Sequence, residues 1–111
     1  MINILFVCAA NICRSPTAEG ICRAEIIRRG LQDKISCDSA GTQVHFSGHP
    51  PDDNAVKIAK VHGVSLESLR TRKIFPYDFE KYDYIIAMHH SQVTYLKTCA
   101  APEQHAKIQL L

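Results

Sequence analysis

The chain has 111 residues, of which 46% are apolar and 22% charged, and a net charge of +2 with its six histidines neutral. That length suits one domain, residues 1–111, with its own core, and the ordinary composition disfavours disorder, coiled coil and collagen-like repeats. So small and dispersed a positive charge gives no nucleic-acid footprint, and no run approaches the ~18 apolar residues of a membrane span, so neither partner is expected.

From the amino terminus, Asn3 to Val7 is a short β-branched and aromatic run that predicts a strand. It is no export signal, since Met1-Ile2-Asn3 carries no side-chain charge and Cys13-Arg14 interrupts the apolar run too soon. Five cysteines (Cys8, Cys13, Cys22, Cys37, Cys99), an odd number without a CxxC pair, fit a reducing, cytoplasmic setting. Pro16 to Gly30 predicts a helix, with proline at its start and glycine at its stop. Ile35 to Ala40 predicts a second strand closed by Gly41, followed by a loop from Gln43 to Asp53 that contains Gly48, His49, Pro50 and Pro51. Asp52 or Asp53 is placed to cap a helix from Asn54 to His62, where Ala55, Val56, Ala59 and Val61 form a partial apolar stripe and Gly63 ends it.

Tyr82 to Met88 predicts a third strand, His90 to Lys97 a short helix, and Lys107 to Leu111 the start of a fourth strand. Strands alternating with helices imply βαβ units, hence an α/β fold with an open, mostly parallel four-stranded sheet flanked by helices on both faces. In such sheets ligands bind beyond the carboxyl ends of the strands. A sheet ending at Leu111 leaves an edge and an apolar face open. Either the chain is a shortened form, or another chain covers that surface, for example a second copy in a homodimer.

Chemistry concentrates in Cys8-Ala9-Ala10-Asn11-Ile12-Cys13-Arg14-Ser15, between the first strand and the first helix. Five residues between Cys8 and Arg14 let the loop curl so that its N–H groups point inward and Arg14 folds over the same cavity. The start of the following helix faces that cavity too, which makes the loop an anion cradle of phosphate size. The same positive field favours a thiolate at Cys8. A phosphate cradle with a nucleophile in its floor points to covalent phosphoryl transfer.

The sequence resembles the low-molecular-weight protein-tyrosine phosphatases. The likeness rests on Val7-Cys8-x-x-Asn11-Ile12-Cys13-Arg14-Ser15-Pro16-x-Ala18-Glu19, Asp38-Ser39-Ala40-Gly41-Thr42, Pro51-Asp52, His62-Gly63, Arg70-x-Arg72 and Asp83-Tyr84-Ile85-Ile86-Ala87-Met88. It implies a flavodoxin-like fold and hydrolysis of phosphotyrosine on a protein substrate, without cofactor or metal. By this resemblance Cys8 attacks phosphorus to form a cysteinyl-phosphate, Arg14 grips the oxyanion, and Ser15 helps the Cys8 sulfur leave. Ala9, Ala10, Asn11, Ile12 and Cys13 form the phosphate-binding loop, with Asn11 bonded outward toward Ser39. Cys13 is either a redox partner for Cys8 or a buried loop residue.

Several positions depart from the family pattern. Ala10 stands where glycine is usual, and a positive φ there would strain an alanine. Leu69 replaces a histidine that joins the Asn–Ser network in many members, which predicts a thinner network. His89 stands where the strand ordinarily ends Met-Asp, and the wall beside the loop aligns near His45 and Phe46. The Asp-Pro-Tyr segment carrying the general acid, and the last helix, lie beyond Leu111 in the family, so turnover by these residues alone is expected to be impaired.

Two other readings compete. A thioredoxin-coupled arsenate reductase of the same fold needs two further cysteines after the third strand, where only Cys99 stands. A catalytically weak phosphate-binding module would use the loop only to hold an anion. Metal binding at His45 and His49, or at His89 and His90, lacks the spaced cysteine or carboxylate partners that such a site needs, so exposed or capping histidines are expected.

Overall fold

The computed structural model describes residues 1–111. Four strands, β1 (Ile2–Cys8), β2 (Ile35–Gly41), β3 (Tyr84–Ala87) and β4 (Ile108–Leu110), alternate with helices α1 (Arg14–Arg28), α2 (Asp53–Val61), α3 (Asp78–Lys81) and α4 (His90–Cys99). A 3₁₀ segment, Pro102–Lys107, leads into β4. The sheet order is β2-β1-β3-β4 and every pairing is parallel, so the expectation of a mostly parallel sheet is met by one with no antiparallel strand. This is the doubly wound, flavodoxin-like order, whose crevice opens beyond the carboxyl ends of β1 and β3.

Alternation along β1 sorts the core into two layers. Leu5 and Val7 pack with Ile85, Ala87, Ile108, Phe79 of α3 and Leu96 of α4 on one face. Phe6 meets Ile26 of α1 and Cys37 of β2 on the other, with Ile4, Ala18, Cys22, Ile86 and Met88 packed around them. A third cluster joins Ala55 and Ala59 of α2 to Leu66 and Leu69. Leu5, Val7, Leu66, Ile85 and Leu96 are completely buried, and burying each such side chain stabilises the fold by about 2 kcal/mol.

The element boundaries differ from the sequence reading in instructive places. β1 runs through Cys8, because Cys8 still pairs with Gly41 in the ladder, so the thiol is fixed by the strand itself. α1 starts at Arg14, two residues before Pro16 and ahead of the predicted start, since a proline anywhere in the first turn sacrifices an N–H that has no helical partner. α2 is capped by Asp52, whose Oδ2 accepts from the amides of Asn54 and Ala55 at 3.1 and 3.3 Å. Val61 does not join its apolar stripe but is 83% exposed at the helix end. β3 is shorter than Tyr82 to Met88: Tyr82 turns into the core ahead of it, and the Asp83 carboxylate accepts the Asn3 amide at 2.8 Å. α3 was not foreseen, and it carries buried Phe79 and Asp78. α4 continues past Lys97 to Cys99, and Lys107 closes the 3₁₀ segment instead of opening β4. Beside α1 an open, largely apolar groove of about 550 Å³ runs from Cys13 past Ile21 to Met88 and Leu111.

Candidate active site

Cys8, the last residue of β1, is 7% exposed. Its Sγ accepts the backbone N–H of Asn11 at 3.3 Å and lies 3.0 Å from Ser15 Oγ.

The loop reaches this geometry through Asn11. It is the only non-glycine residue with positive φ, at 59°, in the left-handed region that asparagine tolerates better than most residues. Its buried side chain is fully used: Nδ2 donates to Ser15 Oγ at 2.8 Å and to Ser39 Oγ at 3.0 Å, and Oδ1 accepts the Arg72 amide at 2.9 Å. The left-handed residue is therefore Asn11, and the strain expected at Ala10 does not arise because Ala10 is not in that region.

A clamp from β2 holds the other side of the loop. The amides of Thr42 and Gln43 donate to the carbonyls of Cys8 and Ala9 at 3.0 and 2.8 Å. Gly41 permits this approach, since a Cβ there would stand 2.5 Å from the Ala9 carbonyl oxygen. Beyond it, residues 43–51 are strapped to Thr71: Gly48 donates to the Thr71 carbonyl, Thr71 to the His49 carbonyl, and the Thr71 hydroxyl to the Phe46 carbonyl, each at 2.7 Å. His45 and Phe46 stand exposed on this strap, Phe46 at 71%, with the His49 ring 5.5 Å from that of Phe46.

The cradle's charge comes from α1. Its N-cap residue, Cys13, has no side-chain capping bond and the first turn holds no acid, so the unpaired amides of that turn remain free for an anion. Arg14 is exposed and belongs to none of the ion pairs of the fold, which leaves its guanidinium donors available. Ile12 is 41% exposed beside it. Cys13 is an exposed free thiol and not a buried loop residue, because as the N-cap it points away from the sheet that buries Cys8. Cys99 is likewise exposed and free at the end of α4.

Glu19, which the sequence reading quoted without a role, extends the network. It lies one helical turn after Ser15 on the face of α1 that meets the sheet, and is 2% exposed. Ser39 Oγ donates to Glu19 Oε1 at 2.6 Å, while Oε2 lies 2.6 Å from an Arg23 nitrogen in a charge contact. Burial raises the carboxyl's pKa from its ordinary value of 4.5, against the opposing pull of the Ser39 bond and Arg23. Leu69 contributes no polar group to the network and packs in the apolar cluster of α2. The Arg72 amide and Glu19 supply the polar partners. An acid one turn from Ser15 and four residues ahead of an arginine was the available signal.

Arg72 anchors the strap from behind. Its guanidinium grips Asp78 with bonds of 3.0 and 3.1 Å and reaches Asp38 at 3.3 Å, where the Tyr82 hydroxyl also donates at 3.2 Å. Burial opposes the Arg72 charge, but the Asp78 bonds and the two carboxylates keep its pKa above the usual value. Burial and the Asp38 charge push the Tyr82 phenol up to about 12. Across the crevice His89 caps α4, its Nδ1 accepting the Ser91 amide at 3.1 Å.

A sulfur held by a loop N–H and a hydroxyl, beside an open helix N-terminus and an unpaired guanidinium, is the kind of arrangement that suits a tetrahedral oxyanion and cysteine-based phosphate transfer. Residues 3–111 match the family described as low molecular weight phosphotyrosine protein phosphatase, and the chain belongs to that family. The low molecular weight protein-tyrosine-phosphatase YfkJ of Bacillus subtilis is 38% identical over 111 residues, which are all of this chain and 71% of YfkJ. Its crystal structure superposes with a TM-score of 0.94 over 99% of this chain and 69% of that one. A putative low molecular weight protein-tyrosine-phosphatase of Synechocystis is 46% identical over 78% of this chain and 54% of its own length. Wzb of Vibrio vulnificus, solved in complex with benzylphosphonate, is 28% identical with a TM-score of 0.86, over 98% of this chain and 72% of Wzb. The chain thus spans roughly half to seven-tenths of these relatives. No helix is long and apolar enough to cross a membrane.

Proposed function

We propose that this chain carries the nucleophile and the anion grip of a protein-tyrosine phosphatase that works through a cysteinyl-phosphate. The observation that carries the reading is Cys8 Sγ held between the Asn11 N–H and Ser15 Oγ, at the open N-terminus of α1. In the first step the Cys8 thiolate attacks phosphorus, the aryl P–O bond breaks, and the phenoxide departs with the bonding pair. Loop amides and Arg14 hold the equatorial oxygens as charge spreads over them. In the second step water attacks phosphorus, passes a proton to solvent, and displaces Cys8 as a thiolate that keeps the P–S bonding pair and receives a hydrogen bond from Ser15 Oγ.

An aryl substrate is supported by Ile12, whose exposed side chain offers an apolar surface beside the cradle, and by the benzyl group of the phosphonate held by Wzb. Phenoxide, with a pKa near 10, needs a proton to leave well. Asp38 and Asp78 are tied to Arg72, Asp52 caps α2 and Asp83 holds the Asn3 amide. We therefore assign the leaving-group proton to none of these four.

Cys8→Ser tests the proposal directly. Rapid quench of the unaltered chain with an aryl phosphate should give a phosphoryl adduct on Cys8, and the variant should give no adduct, lose turnover by at least about 10⁴-fold, and still bind inorganic phosphate. Turnover that survives Cys8→Ser would sink the mechanism. Phosphate binding without any Cys8 adduct would leave only an anion-holding module. The proton assignment has its own check: rates on phenyl phosphate should fall ~10²-fold or more below those on p-nitrophenyl phosphate. Equal rates on the two would show a proton donor at work within these residues.

A further inference from the structure

A second, smaller recess adjoins the phosphate loop. Ala9, Thr42, Gln43, Ser91, Gln92 and Tyr95 enclose about 120 Å³ between the loop, the end of β2 and the first turns of α4. Ala9, next to the nucleophile, contributes only a methyl group, which is why the space is open.

Gln92 makes this recess more than a gap. It is 9% exposed, its Oε1 is buried without a hydrogen-bond partner, and its side chain makes no hydrogen bond to the protein. A buried amide oxygen left unpaired costs about 1–3 kcal/mol, so native structures seldom keep one unless a ligand or water completes it. The volume has room for several waters, or for one small polar group. None of the six lining residues is charged, while hydroxyls and carboxamides provide both donors and acceptors. Such a lining favours a neutral group that is itself both donor and acceptor, and it rejects a second phosphate or a charged side chain, which would be buried unpaired.

Building on the phosphatase reading above, we propose that this recess is a substrate subsite for the main-chain amide flanking the phosphotyrosine of the substrate protein, with Gln92 as its specificity-determining partner. With the phosphoryl group held over Cys8, the peptide on either side of the ring crosses the rim of the loop, and Ala9 forms one wall of both spaces. A peptide unit offers an N–H and a carbonyl about 2 Å apart. It satisfies the Gln92 carboxamide in either orientation of that group.

The test compares a phosphotyrosyl peptide with p-nitrophenyl phosphate, which lacks any peptide flank, as substrates for the unaltered chain and for Gln92→Leu. The ratio of kcat/KM on the peptide to kcat/KM on the aryl phosphate should fall about tenfold in Gln92→Leu, mainly through KM. Because the variant could fold poorly, the second arm alters the substrate instead: N-methylation of the flanking amide should lower the peptide's kcat/KM about tenfold with the unaltered chain and cause no further loss with Gln92→Leu. A ratio unchanged by both alterations, while Cys8-dependent hydrolysis of p-nitrophenyl phosphate persists, would overturn the subsite alone and leave the recess to ordered water only. Absence of Cys8-dependent hydrolysis of either substrate would overturn the phosphatase reading and the subsite with it.

Discussion

Two polar networks lie back to back in this molecule and meet at two hydrogen bonds, from the Arg72 amide to Asn11 Oδ1 and from the Ser39 amide to Asp38 Oδ1. The front network links Cys8, Ser15, Asn11, Ser39 and Glu19 through thiol, hydroxyl, carboxamide and carboxyl groups, and its only formal charge stands at the far end from the sulfur. The rear network is built of charges, with Arg72 between Asp78 and Asp38. The difference shows where this fold can place negative charge. A carboxylate in the cradle would repel a phosphate dianion, so directional neutral bonds shape the floor. Carboxylates are kept behind it, where they fix the segment that presents the Arg72 amide.

The largest stability effect should come from breaking the charged side. Asp78 is 2% exposed and accepts both Arg72 bonds and the Phe75 amide. Asp78→Ala removes these partners and leaves an under-paired guanidinium, with an expected loss of about 3 kcal/mol in chemical denaturation. A loss below about 1 kcal/mol would mean that Arg72 is anchored by Asp38 and solvent, and that the strap needs no charged support.

Asn11 tests the neutral side. Asn11→Ala removes three hydrogen bonds and puts a less tolerant residue at φ 59°, for an expected loss of about 2 kcal/mol together with a ~10²-fold drop in kcat/KM as Ser15 and the loop amides lose their positions. Asn11→Gly separates the two causes. Glycine accepts the backbone angle, so it should recover part of the stability, up to about 1 kcal/mol, while leaving activity as low as in the alanine variant. Recovery of activity by glycine would assign the role of Asn11 to its backbone and remove its side chain from the comparison.

The front network was partly legible in the sequence because its framework is local. Strand, loop and helix run continuously from Ile2 to Arg28, so Cys8, Arg14 and Ser15 could be placed against one another by spacing, and the Asn11–Ser39 pair came from the family resemblance. What spacing could not give was the closure. The amide that completes Asn11 arrives from Arg72, 61 residues away, and spacing alone does not say that Asn11, not Ala10, takes the left-handed angle. Leu69 gave no hint of it either, since a change of one residue type says nothing of a backbone amide three positions on. α3 was missed because a four-residue helix has too few turns for any periodicity, and Asp78 reveals itself only by the arginine it meets.

Glu19→Gln gives the smallest effect and the finest discrimination, because Glu19 is the one place where the front network carries a charge. Burial raises its folded pKa above 4.5, so the folded protein holds the proton more tightly than the unfolded chain does. The contribution of Glu19 to stability is then fully present below pH 4.5 and is lost as pH rises through the raised folded value. A glutamine is neutral at every pH, and its Oε1 can still accept from Ser39, while the forfeited contact is with an Arg23 side chain that is 51% exposed and worth little. Relative to Glu19→Gln, the unaltered chain should therefore lose stability as pH rises from 4 to 7, with the two staying within about 1 kcal/mol of each other, as paired denaturation curves would show. The opposite slope would mean that Arg23 and Ser39 together outweigh burial and that Glu19 works as a fixed carboxylate. The network beneath Cys8 would then be anchored by charge, as the Arg72 network is, and the contrast between the two would reduce to their distance from the anion.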